Sequence, residues 1–467
     1  MAAGNGGGSA DLTATGVTLP RRAPARGRNQ LGQTMGAKGA QTRQRLLQAT
    51  ETLLATTRLR DLSVAQIVRQ ASTSAATFYV YFKDVPAAVL AILNEAIQNP
   101  PELIALVTRP WEGAQARPLA EAFIEAYVGH WHAHAAAFRA RNLASDEGDR
   151  RFQELRVNAA APLLMAMAAR IGDRQMAGAL PADLPATTLA SALLAMIERI
   201  SILPQPGGRI VTQAALMHVA AFFAVLLLGE GWWEEGRNDP AAAEAGHTEE
   251  AWPLPPSPLN LSGQTIGAKG ARTRQRLIDA TRELLQTRPL LGLSVADVTK
   301  LAETSTATFY LYFQDVTEAV LAATSQASQS TPDLLQILDS DWDVGDAGAK
   351  ALAFCASYIR RWQENAGLFR ARNLAADEGD ERFVWARAEG VRELIVRLEG
   401  WIAEVQARGK LPGDLDPVAA SGGFVAMIER LAAVANARIG GGAPEPMTRA
   451  AAFFLSVLMT GVPKVAS

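Results

Sequence analysis

Leu62-Ser-Val-Ala-Gln-Ile-Val-Arg-Gln-Ala-Ser-Thr-Ser-Ala-Ala-Thr-Phe-Tyr-Val-Tyr-Phe82 is a stretch that the chain carries twice. Its second form, Leu293-Ser-Val-Ala-Asp-Val-Thr-Lys-Leu-Ala-Glu-Thr-Ser-Thr-Ala-Thr-Phe-Tyr-Leu-Tyr-Phe313, is identical at 13 of the 21 positions. Both read as a short helix, a tight turn of small polar residues, and a second short helix ending in aromatics. Ser63 and Ser294 precede apolar-periodic runs, with Gln66 and Asp297 three residues on, the signature of a helix N-terminus and in the first copy a full capping box. Such a pair of helices fits a DNA duplex. Small residues opening the second helix (Ser74, Ala75 and Thr77, with Ser305, Thr306 and Thr308 in the second copy) let the backbone approach a major groove, where Thr can hydrogen-bond and methyl groups can touch thymine. Tyr79, Tyr81, Tyr310 and Tyr312 offer hydroxyls to phosphates, whereas Phe78 and Phe82 read as core.

A basic segment precedes each pair. Lys38, Arg43 and Arg45 stand in the first, and Lys269, Arg272, Arg274 and Arg276 in the second. These cations, with Lys83, supply sequence-independent attraction to phosphates, and the helix starts at Ser63 and Ser294 are candidate phosphate seats. The repeat extends well beyond this region at a constant offset of 231. Gly36-Ala-Lys-Gly-Ala-Gln-Thr-Arg-Gln-Arg-Leu46 returns as Gly267-Ala-Lys-Gly-Ala-Arg-Thr-Arg-Gln-Arg-Leu277, Phe138-Arg-Ala-Arg-Asn-Leu as Phe369-Arg-Ala-Arg-Asn-Leu, and Ala195-Met-Ile-Glu-Arg199 as Ala426-Met-Ile-Glu-Arg430. A period this long is a duplicated domain pair rather than a solenoid. Leu46, Thr50, Leu53 and Leu54 share one helix face, as do Leu277, Thr281, Leu284 and Leu285, and no alternating strand pattern of useful length occurs. The fold class expected is all-α.

The 467 residues carry 45 Lys+Arg against 47 Asp+Glu, so attraction to nucleic acid has to be local rather than global. A single Cys excludes an internal disulfide framework and a Cys-rich zinc site, and suits a reducing, cytoplasmic setting. No apolar run marks a signal peptide at the N-terminus. The stretch from Ala214 to Leu228, interrupted by His218, is shorter than the roughly 18–20 residues of a membrane span, so a buried helix is expected and no membrane partner. Residues 1–35, rich in Gly, Ala and Arg, read as a disordered basic arm, and 231–262, acidic and then Pro-rich, as an extended linker.

The chain here closely resembles the TetR (tetracycline-repressor-like) family of regulators, through the pair ending Thr-Phe-Tyr-x-Tyr-Phe and the length of each copy. The resemblance implies helix-turn-helix heads at 40–97 and 271–328 and helical bodies at 98–230 and 329–462, which bind a small molecule and pair through their last two helices. The helices so implied are about 186–203 and 208–229, matched by 417–438 and 446–462. One chain would then act as a monomeric pseudo-dimer on double-stranded DNA. Two departures from the family stand out. The turn, usually Gly, holds Ser72 and Glu303, and the start of the next helix, usually a phosphate-gripping Lys, holds Val85 and Val316, with Lys83 and Gln314 nearby.

Within the bodies, Trp131, Met165 and Met196 in one copy and Trp362, Trp385 and Met427 in the other are candidates to line a cavity for a hydrophobic effector. His130-Trp-His-Ala-His134 has metal-like spacing, but the second copy reads Arg361-Trp-Gln-Glu-Asn365, so no metal or other cofactor is expected. The repeated Asp-Glu-Gly-Asp (Asp146 to Asp149, Asp377 to Asp380) reads as a helix end with surface ion pairs. Glu198 and Glu429, in otherwise apolar helices, need paired charges, with Arg199/Arg430 or Arg139/Arg370 as candidates. No nucleophile or metal constellation is retained in both copies, so an enzyme is not expected. The alternative to a regulator is an interaction protein that kept the fold and lost DNA binding.

Overall fold

The computed structural model describes residues 33–57, 59–96, 101–146, 148–202, 211–229, 266–329, 332–437 and 445–461. The basic arm up to residue 32 and the whole proposed linker lie outside the described residues. Among those described there are twenty α-helices and no β-strand. The first copy comprises α1 (Ala37–Leu54), α2 (Val64–Gln70), α3 (Ala75–Tyr81), α4 (Val85–Ala96), α5 (Pro101–Thr108), α6 (Ala116–Ala133), α7 (Ala135–Asp146), α8 (Arg150–Met176), α9 (Ala186–Ile202) and α10 (Gln213–Leu228). The second repeats the order: α11 (Ala268–Thr287), α12 (Val295–Leu301), α13 (Thr306–Phe309), α14 (Val316–Gln329), α15 (Pro332–Leu338), α16 (Ala347–Glu364), α17 (Ala366–Asp377), α18 (Glu381–Ala407), α19 (Pro417–Ala437) and α20 (Glu445–Thr460).

The strongest sequence determinant of the assembly is α10. From Val219 to Leu228 every residue is apolar and buried. A helix apolar all round must be covered on every side. Its own body supplies α6, α8 and α9, and the other copy supplies α19. By the same logic α19 lies against both α9 and α10, and α20 against α9, so four helices from one chain form an isologous, pseudo-two-fold interface. The Phe223 and Phe454 rings meet across it at 4.7 Å. Residues Pro417–Ala435 are long and apolar enough to cross a membrane, but 78% of that stretch is buried here, so the interface accounts for its apolarity.

Charged pairs between the copies border the apolar centre. Arg199 binds Asp377 at 3.0 Å, Arg449 pairs with Asp183, and Arg117 binds Asp414 at 2.8 Å. His218 and Arg117 hold the Asp414 carboxyl below the usual carboxylate range.

Glu198 and Glu429 are buried beside this interface, each in a cage of guanidinium groups. Glu198 accepts from Arg141 at 2.7 Å and Arg156 at 3.0 Å, with Arg430 of the other copy 3.5 Å away. Glu429 accepts from Arg372, from Arg387 Nε at 2.9 Å and from Asn373 at 3.3 Å. The expected partners Arg139 and Arg370 are both exposed and do not serve. Two positions along α7 and α17, Arg141 and Arg372 face inward instead, because a helix turns residue i+2 by about 200°. The Asp-Glu-Gly-Asp ends behave as read: Asp149 and Asp380 cap α8 and α18 and bind Arg151 and Arg382.

The two heads dock differently. Buried apolar residues of both bodies and the second head form one continuous core, while those of the first head form a separate cluster with Trp131, Phe138 and Phe152. Gly367, at the start of α17, permits the closer fit: a Cβ there would lie 1.9 Å from the backbone oxygen of Leu285 on α11. Ala136 occupies the matching position in the first copy.

Candidate nucleic-acid interface

Each head is built on its caps. Ser63 Oγ accepts from the amide of Gln66 while Gln66 Oε1 takes the Ser63 amide at 2.8 Å, and Ser294 and Asp297 repeat this reciprocal box, so Asp297 completes one in the second copy as well. The hydroxyls and amides of Ser63 and Ser294 are therefore engaged inside the caps. The turn that follows places Ser72 and Glu303 at φ 50, the left-handed region that glycine usually fills, at a cost of about 1–2 kcal/mol for a residue with a Cβ. Ser74 and Ser305 then start the second helix, accepting from Thr77 N at 3.2 Å and Thr308 N at 3.1 Å.

From those caps the outward faces follow. Ala75, Ala76 and Tyr79 are exposed in the first head, and Thr306, Ala307 and Tyr310 in the second; Tyr79 and Tyr310 stand 52% and 50% open to solvent. Thr77 and Thr308 are half-buried, their hydroxyls shared with Ser74 and Ser305 at 2.9 and 2.8 Å. Phe78, Phe82, Phe309 and Phe313 are buried and carry the helix on the head's core, as expected. The two recognition segments differ in length: α3 has seven residues, whereas α13 has four and passes into a turn at Tyr310.

The basic residues divide into two kinds. Lys38, Arg45, Lys83, Lys269, Arg272 and Arg276 are exposed. Arg43 and Arg274 lie back on the buried rings of Phe82 and Phe313, at 5.6 and 5.2 Å from the ring centres. Burial pulls the Arg274 guanidinium down from its ordinary range, opposed by the charge of Glu318. Tyr81 and Tyr312 are half-buried; a Cβ on Gly39 or Gly270 would lie 3.3 or 3.1 Å from their hydroxyls. They therefore tie the recognition segment to the first helix. The repeated Gly-Ala-Lys-Gly carried that signal in the sequence.

One contact was not read from the sequence. Glu318, in the first turn of α14, accepts the Gln314 amide at 2.6 Å while Asp315 accepts the Glu318 amide at 2.8 Å. In the first head Asp84 takes the Ala87 amide at 2.7 Å, but Ala87 has no carboxylate to return to Lys83.

The proposed effector residues do not come together. Met196 and Met427 are fully buried on α9 and α19, where the copies meet, and Met165 is 59% exposed on α8. Trp131 and Trp362 are buried against Phe138 and Phe369, and Trp385 sits apart on α18, half-buried. The residue types were right for a core but carried no information on which helix face meets which neighbour. Of the six, Trp362 does line a small cleft in the second body, together with Ser328, Tyr358, Arg361, Phe369 and Arg372. Within it Trp362 Nε1 and Arg361 Nη1 are buried donors without an acceptor. Of the three histidines, His130 and His134 lie edge to face with ring centres 5.4 Å apart, whereas His132 is 3.3 Å from the Ser201 carbonyl.

Two helix-turn-helix heads carried on paired helical bodies define a DNA-binding transcriptional regulator. The family model described as the tetracyclin repressor-like C-terminal domain matches residues 103–214 and 335–450, and the one for bacterial regulatory proteins of the tetR family matches residues 277–323. The chain belongs to the TetR family, with its C-terminal domain duplicated. No curated protein matches it.

Proposed function

We propose that the chain is a repressor, non-enzymatic and cytoplasmic, that sets both heads on one near-palindromic operator and leaves it when a small effector binds a body. The observation that carries this reading is the four-helix interface of α9, α10, α19 and α20 within one chain, which joins two bodies that each carry a head. Paired heads of this kind read successive major grooves at about 34–36 Å spacing. The likeness of Ser74, Thr77 and Tyr79 to Ser305, Thr308 and Tyr310 supports similar half-sites, while Ala75 against Thr306 supports a difference between them. Lys38, Arg45, Lys83, Lys269 and Arg276 would meet phosphates. The unpartnered donors of Trp362 and Arg361 favour an effector with an acceptor group on an apolar body. Its binding would act by differential affinity for heads held apart or together.

A second reading, a protein-interaction role for one head, is favoured only by the carboxylates of Glu303 and Glu318 beside α13. Selection of genomic fragments by the purified chain separates the two. One near-palindrome is expected, with Tyr79→Ala and Tyr310→Ala each weakening binding to it at unchanged helicity. No enrichment at low salt by the folded chain, or unchanged affinity in both variants, contradicts the reading.

A further inference from the structure

The two heads differ in charge where they would face a duplex. Around the recognition segments, three substitutions between the copies make the second head more negative. Lys83 stands where the second head has Gln314, Ser72 where it has Glu303, and Ala87 where it has Glu318. Of the other differences, Asp297 is paired with Arg288 at 2.9 Å, Asp84 and Asp315 are common to both, and exposed Arg272, where the first head has Gln41, returns one cation to the second head. Glu318 lies in the field of Arg274 and Arg382, but both cations have counterparts in the first head, Arg43 and Arg151, so the second head stays the more negative. Glu303 stands three residues before α13 and Glu318 nine residues after it, in the first turn of α14, so the chain places one carboxylate on each side of the recognition segment. A helix lodged in a major groove has a phosphate backbone along each flank. Glu318 also holds the Gln314 amide, a donor that the first head leaves to Lys83 without a carboxylate. The contact is a helix cap, and it fixes a carboxylate at the start of α14.

We propose that the heads are unequal partners on DNA: the first supplies most of the phosphate contact, the second is held off the backbone by Glu303 and Glu318, and the chain occupies its operator in a single orientation. This inference rests on the reading of the chain as a DNA-binding regulator. Its consequence is an operator with one half-site that dominates affinity and one that contributes mainly discrimination. Because each neutralised phosphate contributes about 0.9 to the slope of log affinity against log salt, the two halves also respond differently to ionic strength. The second half-site has the shallower slope, and it is nevertheless released at lower salt because its affinity is the weaker of the two throughout.

The test is footprinting of the full chain on its selected operator across a salt series, with affinities from fluorescence anisotropy. Wild type is expected to lose protection of one half-site at lower salt than the other. Glu303→Ser/Glu318→Gln is expected to equalise the halves, tighten binding about tenfold and steepen the salt slope by about 1–2. Gln at 318 can still accept the Gln314 amide, so the cap survives while the charge goes; Glu303→Ser alone, on the exposed turn, gives the same direction independently of the cap. Lys83→Gln is expected to weaken binding about threefold to tenfold and to flatten the slope by about 1. Simultaneous release of both half-sites in wild type, or unchanged affinity and slope in the acid-removing variants at unchanged melting temperature, overturns the inequality while leaving a DNA-binding regulator standing. Absence of any salt-dependent DNA binding by the folded wild-type chain overturns both.

Discussion

Glu429→Ala is expected to lower the stability of the folded chain by about 3–5 kcal/mol. Glu429 is only 3% exposed on α19 and is the shared acceptor of Arg372 from α17 and Arg387 from α18. Both guanidiniums are themselves buried, so removing the carboxylate leaves two charges in a poorly solvating site. Chemical denaturation followed by circular dichroism reads the loss as a lower midpoint. A midpoint within experimental error of wild type would mean that the cage contributes nothing net. Glu198→Ala should behave alike, and it has an added consequence, since Arg430 reaches it from the other copy. The Glu198 cage also gives stability a pH dependence. Burial alone would raise that carboxyl, but Arg156, Arg141 and Arg199 outweigh it and hold the group below the usual range. A depressed folded value contributes stability that is present above the ordinary carboxylate range and lost as pH falls through the folded value. The wild-type chain should therefore destabilise on acidification through that window more steeply than Glu198→Gln.

Gly367→Ala is the second large effect. A methyl group 1.9 Å from the Leu285 carbonyl cannot be absorbed by a rotamer change, because the obstacle is backbone. Either α11 moves off α17 or the start of α17 unwinds, and overpacking that forces a backbone shift costs about 3 kcal/mol. The expected result is a fall of that size in unfolding free energy, together with faster hydrogen exchange in α11 and α17. Ala136→Gly, the reverse exchange in the first copy, should change stability by no more than about 1 kcal/mol, the ordinary glycine penalty in a helix. Equal, small effects at both positions would show that the second head is docked no more closely than the first.

These two sites mark the boundary of what the sequence discloses. Short-range patterns were readable: the capping residues Ser63 and Ser294, the aromatic end of α3 at Phe78 and Phe82, the helix ends at Asp149 and Asp380, and the apolar helices at 417–437 and 213–228 that had to find each other. All of these follow from spacing within one or two turns, or from a helix too apolar to be left uncovered. The Glu198 and Glu429 cages were recognised as requiring cations, yet their partners come from 57 and 42 residues away. Choosing Arg141 over Arg139 needs the rotation of α7 against α9, which no local pattern sets. The same limit applies to Met196 and Met427, whose residue type does not disclose that they are buried where the copies meet. Glu318 was within reach of a local reading, being three residues after the cap Asp315. That spacing is the signature of a helix start, and it carries no reference to DNA.

The central claim is that one chain contains both halves of the DNA-binding unit, and the mass of its complex with the selected operator tests this most directly. Light scattering or sedimentation at micromolar concentration should give one chain free in solution and one chain per near-palindrome when bound, independent of dilution because the pairing surfaces are joined covalently. Two chains per operator, or a mass that falls with dilution from two chains to one, would contradict the intramolecular pairing of α9 and α10 with α19 and α20.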